Sequence, residues 1–126
     1  MKEIELKDRT KQFALRVMRL VDALPKTVSA RAIGNQIIRS GTSVGAYYRA
    51  ACRGRSKAEF IAKLGVVAEE ADETCFWLEL IIESAILPRE KVELLLKEAD
   101  ELTAIFVSSI KISRQNQKSK IRNQKS

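Results

Sequence analysis

Eight residues between 57 and 86 constrain this chain most: Phe60, Leu64, Val67, Ala71, Thr74, Leu78, Ile81 and Ala85 recur at alternating spacings of three and four. A strand alternates every two residues, so only a helix brings such positions onto one stripe, and a stripe of that length is the seam of a helical bundle. Its start is marked by Ser56 with Glu59 three residues on. That pair predicts a capping box, in which each side chain satisfies a backbone N–H at the helix terminus.

A seam needs partners, and three other segments carry the same period. Residues 5–24 place Phe13, Val17, Leu20, Val21 and Leu24 on one stripe and stop at Pro25. Residues 29–52 run through Ile33, Ile37, Gly41, Val44, Tyr48 and Ala51 and stop at Gly54. Residues 88–112 open on Pro88, a good first helical residue, and continue through Val92, Leu95, Ala99, Leu102, Phe106 and Ser109. Connections this short force neighbouring helices to reverse direction, which predicts an all-α, antiparallel up-down-up-down four-helix bundle over residues 1–112. Composition agrees: 45% hydrophobic and 31% charged residues with five Gly and two Pro suit long helices in one domain of 126 residues. Beyond residue 113 the apolar period stops, and the basic segment 113–126, which repeats "NQKS", is expected to be a disordered tail or a frayed helix end. It reads either as dispensable or as an electrostatic arm.

No apolar run approaches the roughly 20 residues needed to span a bilayer, and the start lacks the apolar core of a signal peptide, so the cytoplasm is the expected compartment. Cys52 and Cys75 form no CxxC pair and fall far apart on separate helices, which predicts no disulfide.

Charge is distributed in blocks. From 23 to 58 there are seven cations (Lys26, Arg31, Arg39, Arg49, Arg53, Arg55, Lys57) and no acid. From 59 to 87 seven acids face Lys63 alone, and the last 16 residues add six cations. If the second and third helices form a hairpin about residues 54 and 55, Arg39 falls near Glu69, Glu70 and Glu73, and Arg49 and Arg53 meet Glu59 near the turn. Such exposed pairs contribute about 0–1 kcal/mol each and serve register more than stability. Arg53, Arg55 and Lys57 crowd the hairpin tip with only Glu59 close, which makes the tip, with Arg49, the candidate phosphate-contacting surface. Tyr47 is the candidate stacking ring beside it, while Tyr48 falls on the apolar stripe and belongs to the core.

Gly41 and Gly45 each destabilise a helix interior by about 1 kcal/mol relative to Ala, so something must offset them. Close approach of a second helix, within the bundle or across a subunit boundary, is the expected offset; a kink and a ligand-facing backbone are the alternatives.

Catalysis is not expected. The chain has no His, the commonest general base and metal ligand. A di-iron bundle needs Glu-x-x-His, so "EEADE" at 69–73 cannot complete one; a carboxylate-only magnesium site from Glu69, Asp72 and Glu73 is conceivable but opposed by nearby cations. No strand precedes a Gly-rich phosphate loop, and neither cysteine has a His to activate it. No cofactor or metal is expected.

The run "IGNQIIRSGTSVGAYYRAACRGRSKAEFIAKLGVVAEEADETCFWLELI" closely resembles the bacterial four-helix-bundle proteins related to those encoded in intervening sequences of 23S ribosomal RNA genes, across roughly residues 10–112. The resemblance is carried by "RSGTSVGA", "SKAEFIAKL" and "EEADET-FWLEL". It implies a bundle that closes into a homopentameric ring. A related branch, the accessory protein of diversity-generating retroelements, is a basic bundle that binds nucleic acid and a reverse transcriptase. The family pattern usually has Asn where this chain has Tyr47. Two functions follow as expectations: a non-enzymatic oligomer that binds RNA or DNA through Arg49, Arg53, Arg55, Lys57 and Tyr47, or a protein-interaction scaffold in which Gly41, Gly45, Arg39, Glu69 and Glu73 hold subunits or a protein partner. Neither involves a membrane.

Overall fold

The computed structural model describes residues 1–125. Their regular structure is helical throughout: α1 Glu3–Asp22, α2 Val28–Cys52, α3 Lys57–Glu83, a single 3₁₀ turn Arg89–Lys91, and α4 Glu93–Lys125. The starts of α2 and α3 follow side-chain chemistry. Thr27 Oγ1 accepts from the Ala30 N–H at 3.2 Å and caps α2. Ser56 Oγ accepts from the Glu59 N–H at 3.1 Å and caps α3. The other half of the expected capping box is displaced by one residue, because the Glu59 carboxylate accepts from the Arg55 N–H at 3.4 Å instead of the Ser56 N–H.

Consecutive helices pack on each other, and α1 also meets α4. Gly34 faces Leu24 and Val21, Gly41 faces Val17, and Gly45 faces Thr10, so rising positions on α2 meet falling positions on α1. The core is continuous. Phe13 and Val17 of α1, Ile37 and Val44 of α2, Leu64, Val67, Leu78 and Ile81 of α3, Val92 just before α4, and Leu102 and Phe106 of α4 are all fully buried. Tyr48 joins them as expected, its ring centroid 5.4 Å from that of Phe106. The seam from Leu64 to Ile81 is buried without exception, and its one hydroxyl, Thr74, is satisfied by the Glu70 carbonyl at 2.8 Å and by Ser40 Oγ at 2.9 Å on α2.

Three boundaries differ from the sequence expectation by three residues or more. α3 stops at Glu83 rather than 86 because Ala85 turns left-handed, with φ 58°. The Ile86 N–H then donates to the Ile81 carbonyl and the Ala85 N–H to the Ile82 carbonyl, a Schellman closure. That position favours glycine, since a Cβ in the left-handed region costs about 1 kcal/mol. Ala85→Gly should therefore raise the unfolding free energy by about 0.5–1 kcal/mol, less any entropy gained by the unfolded chain, read from chemical denaturation. Pro88 opens the 3₁₀ turn instead of α4, which begins at Glu93.

The third difference is the tail. α4 continues through it to Lys125 where a disordered segment was one expectation. The apolar period does end near 113, but no Gly or Pro follows Pro88, and Lys, Arg and Gln are good helix formers. Ser113 is still buried and Gln117 half-buried, so the extension leaves the bundle gradually.

Candidate nucleic-acid interface

The end of the bundle formed by the start of α1, the end of α2, the start of α3 and the end of α4 gathers the candidate residues. Arg49 lies in the last turn of α2, Arg53 is its C-terminal cap, Arg55 sits in the connection, and Lys57 is the first residue of α3. All four are exposed. The turn is tight: a Cβ on Gly54 would meet the Ala51 carbonyl oxygen at 3.1 Å and the Phe60 nitrogen at 3.3 Å.

Glu59 does not neutralise this cluster. Instead of meeting Arg49 and Arg53 it pairs with Lys63 Nζ at 3.1 Å, one helical turn along α3. Among the described residues no carboxylate forms an ion pair with Arg49, Arg53, Arg55 or Lys57. Lys57 Nζ instead lies 5.3 Å from the Phe60 ring centroid, a contact that leaves its charge uncompensated. Tyr47 is 41% exposed on the outer face of α2, two residues before Arg49.

The extension of α4 comes to the same place. Lys57, Asn116, Gln117, Lys120 and Ile121 line a cleft of about 530 Å³. Two lysines thus face one cleft beside the N-terminus of α3, whose unpaired N–H groups carry partial positive charge. A smaller groove of about 220 Å³ between α1 and α2 has Gly45, Ala46, Thr10 and Thr42 in its walls, with Lys7, Lys11 and Arg49 also lining it. Lys7 is held by Glu3 at 3.2 Å. The signal for this convergence was present in the sequence as two separate basic blocks; what it lacked was the helical path that joins them.

The other candidates fall elsewhere. Arg39 lies midway along α2 and is spoken for by α3: its guanidinium reaches Glu70 at 3.3 Å and also pairs with Glu73. Glu73 accepts a further hydrogen bond from Trp77 Nε1 at 3.2 Å. Glu69 is exposed and takes no part in the ion pair, because one residue turns it about 100° away on the helix. Gly41 and Gly45 face α1 within the same chain, on an uninterrupted helix. A Cβ on Gly41 would sit 2.7 Å from Val17 Cγ2, and one on Gly45 3.2 Å from Thr10 Oγ1. Their close approach is inside the bundle.

One contact was missed in the sequence. Arg9 on α1 grips Glu98 on α4 through both carboxylate oxygens, at 2.6 and 2.8 Å, and Glu101 at 2.7 Å. Bidentate pairing of this kind is stronger than a single surface ion pair. No local pattern links residues 89 positions apart; only the spacing of Glu98 and Glu101 on one helical face hints at a shared cation.

The thiols are chemically quiet. Cys75 donates to Asp100 Oδ1 at 3.2 Å, and burial, reinforced by that hydrogen bond, pushes its pKa up to about 12. Burial also raises the Cys52 thiol. Both cysteines are free. Among the described residues no group of His, Cys, Asp and Glu has a metal-holding arrangement, and no helix is long and apolar enough to cross a membrane.

Comparison with known proteins agrees with this architecture. The family described as 23S rRNA-intervening sequence protein matches residues 2–108. Among solved structures, a protein of unknown function from the S23 ribosomal protein family of Bacteroides thetaiotaomicron VPI-5482 is similar, with 38% identity and a TM-score of 0.81, over 88% of this chain and 99% of that one. No curated protein matches. A bundle of four helices, matched by the family pattern from the start of α1 well into α4, belongs to the 23S rRNA-intervening sequence protein family.

Proposed function

We propose that this protein is a non-enzymatic, cytoplasmic nucleic-acid-binding protein that holds the phosphate backbone of structured RNA or DNA at the cationic end of an antiparallel four-helix bundle. The observation that carries the reading is the cluster of Arg49, Arg53, Arg55 and Lys57, exposed and without a carboxylate partner among the described residues. Tyr47 stands beside it as an exposed ring on which an unpaired base can stack. Assembly into a homopentameric ring, which the family resemblance implies, would present five such clusters and multiply weak phosphate contacts through effective concentration.

The test is a salt titration of binding to a labelled RNA stem-loop. Each phosphate contact releases a counterion and contributes about −0.9 to the slope of log K against log salt on a duplex. The four tip cations therefore give about −3 to −4 per subunit engaged. A flat dependence, or no binding at about 50 mM salt, overturns the reading.

A scaffold function is the second reading, and one observation favours it. Phe76 is 51% exposed on the outer face of α3, in edge contact with Trp77 and flanked by Asp72 and Glu79. Exposed aromatics among charges are common at protein interfaces. In light scattering a monomer at working concentration would remove this reading together with the ring.

A further inference from the structure

The extension of α4 carries a feature that the bundle does not require. Lys111, Arg114, Lys118 and Arg122 are all exposed and follow one another at spacings of three, four and four. At 3.6 residues per turn they fall within a band of about 80° and span about 16 Å of helix axis. No acidic residue follows Glu101, so this row has none of the alternating signs that stabilise an ordinary exposed helix. Arg114, Lys118 and Arg122 even sit at like-charge i,i+4 positions, which oppose the helix they stand on. Complementing the dipole at the C-terminus of α4 explains cations in the last turn only, and the row begins four turns before Lys125. The faces away from the row are filled mostly by Ser, Asn and Gln. Only Ile112 and Ile121 are apolar in this stretch, too few for a helix that lies in a membrane surface.

Resting on the nucleic-acid reading above, we infer that residues 111–122 form a helical arm whose single row of four cations binds backbone phosphates of a nucleic-acid duplex, as a second cationic surface beside the tip. Each strand of a duplex carries one phosphate per about 3.4 Å of helix axis, so a row of this length laid along the duplex has about five phosphate levels of each strand within its span. The arm lies outside the segment that the family pattern matches, which ends at 108. Lys120, which lines the cleft with Lys57, lies on the opposite side of the helix from the row, so the row is a surface separate from that cleft. The partner is defined by its chemistry: a phosphodiester backbone of regular spacing, read without regard to sequence.

Two variants of the full chain test the row. In the first, Lys111→Gln, Arg114→Gln, Lys118→Gln and Arg122→Gln remove the charges while keeping good helix formers. In the second, Arg114→Gln with Gln115→Arg and Lys118→Ser with Ser119→Lys keep composition and net charge but rotate two cations by about 100°. Binding is followed by anisotropy against salt with a labelled RNA stem-loop and with a DNA duplex of the stem's sequence, and circular dichroism checks that each variant melts like the parent. The neutral variant is expected to lose about 3 to 4 units of salt slope, and the rotated variant about 2. A larger loss on one probe identifies RNA or DNA as the preferred duplex. A neutral variant that keeps the parental affinity and slope overturns the arm while leaving the tip reading intact, provided Arg53→Glu with Arg55→Glu still weakens binding. A rotated variant that matches the parent overturns the row and leaves net charge alone as the cause. If the parent binds neither probe, both readings fall together.

Discussion

Gly41→Leu should lower the unfolding free energy by about 3 kcal/mol, measured by urea denaturation, even though leucine is a far better helix former than glycine. The expectation rests on space. A Cβ alone would come within 2.7 and 2.8 Å of the two Val17 methyl carbons, and Val17 is fully buried with one preferred rotamer in a helix. Something must shift, and the neighbours that would have to give are core residues. The same reasoning has the opposite sign at Gly65, where an added Cβ would meet nothing within 4 Å. Gly65→Ala should therefore stabilise by about 0.5–1 kcal/mol through helix propensity and a less flexible unfolded chain. Should Gly41→Leu prove neutral, α1 and α2 are not in the close contact described. Combining Gly41→Ala with Val17→Ala should be less damaging than the two changes added together, since each relieves the other.

Arg53→Glu with Arg55→Glu should weaken binding of structured RNA by 10- to 100-fold at about 50 mM salt and flatten the salt slope by about two units. The loss exceeds that of neutralisation because each change also plants an anion on the surface a phosphate must approach. Stability should fall little: neither arginine forms an ion pair among the described residues, and the reversal at the C-terminal cap of α2 forfeits about 0.3–1 kcal/mol of dipole interaction. Arg39→Glu is the contrasting control. It strands Glu70 and Glu73 beside a third carboxylate and should shift the melt, yet leave the salt slope of binding unchanged.

Much of this architecture was legible because periodicity and caps are local. The stripe from Leu64 to Ile81 identified α3 and its buried face, and Ser56 marks its start through a hydrogen bond spanning three residues. Pairing Arg39 with Glu70 follows from hairpin register alone. The misses share a different cause. Ala85 adopts a conformation that its side chain disfavours, so composition gave no stop signal there. The tail has helix propensity without an apolar stripe, and propensity alone is a weak indicator. Arg9 and Glu98 meet only after the whole bundle has closed. Glu59 was expected to serve the arginines of the tip, but a lysine one turn away on its own helix is held at that distance by the backbone and wins. That last miss matters for function, since it leaves the tip more cationic than pairing by proximity suggested.

Lysine footprinting of the protein with and without a bound RNA stem-loop tests most directly whether the cationic end is the contact surface. Lys57 and Lys120 lie at that end, whereas Lys26 and Lys91 are exposed in the connections at the other. The expected result is that RNA shields Lys57 and Lys120 from acylation while Lys26 and Lys91 react as in the free protein. Shielding of Lys26 and Lys91 with Lys57 and Lys120 still reactive would contradict it.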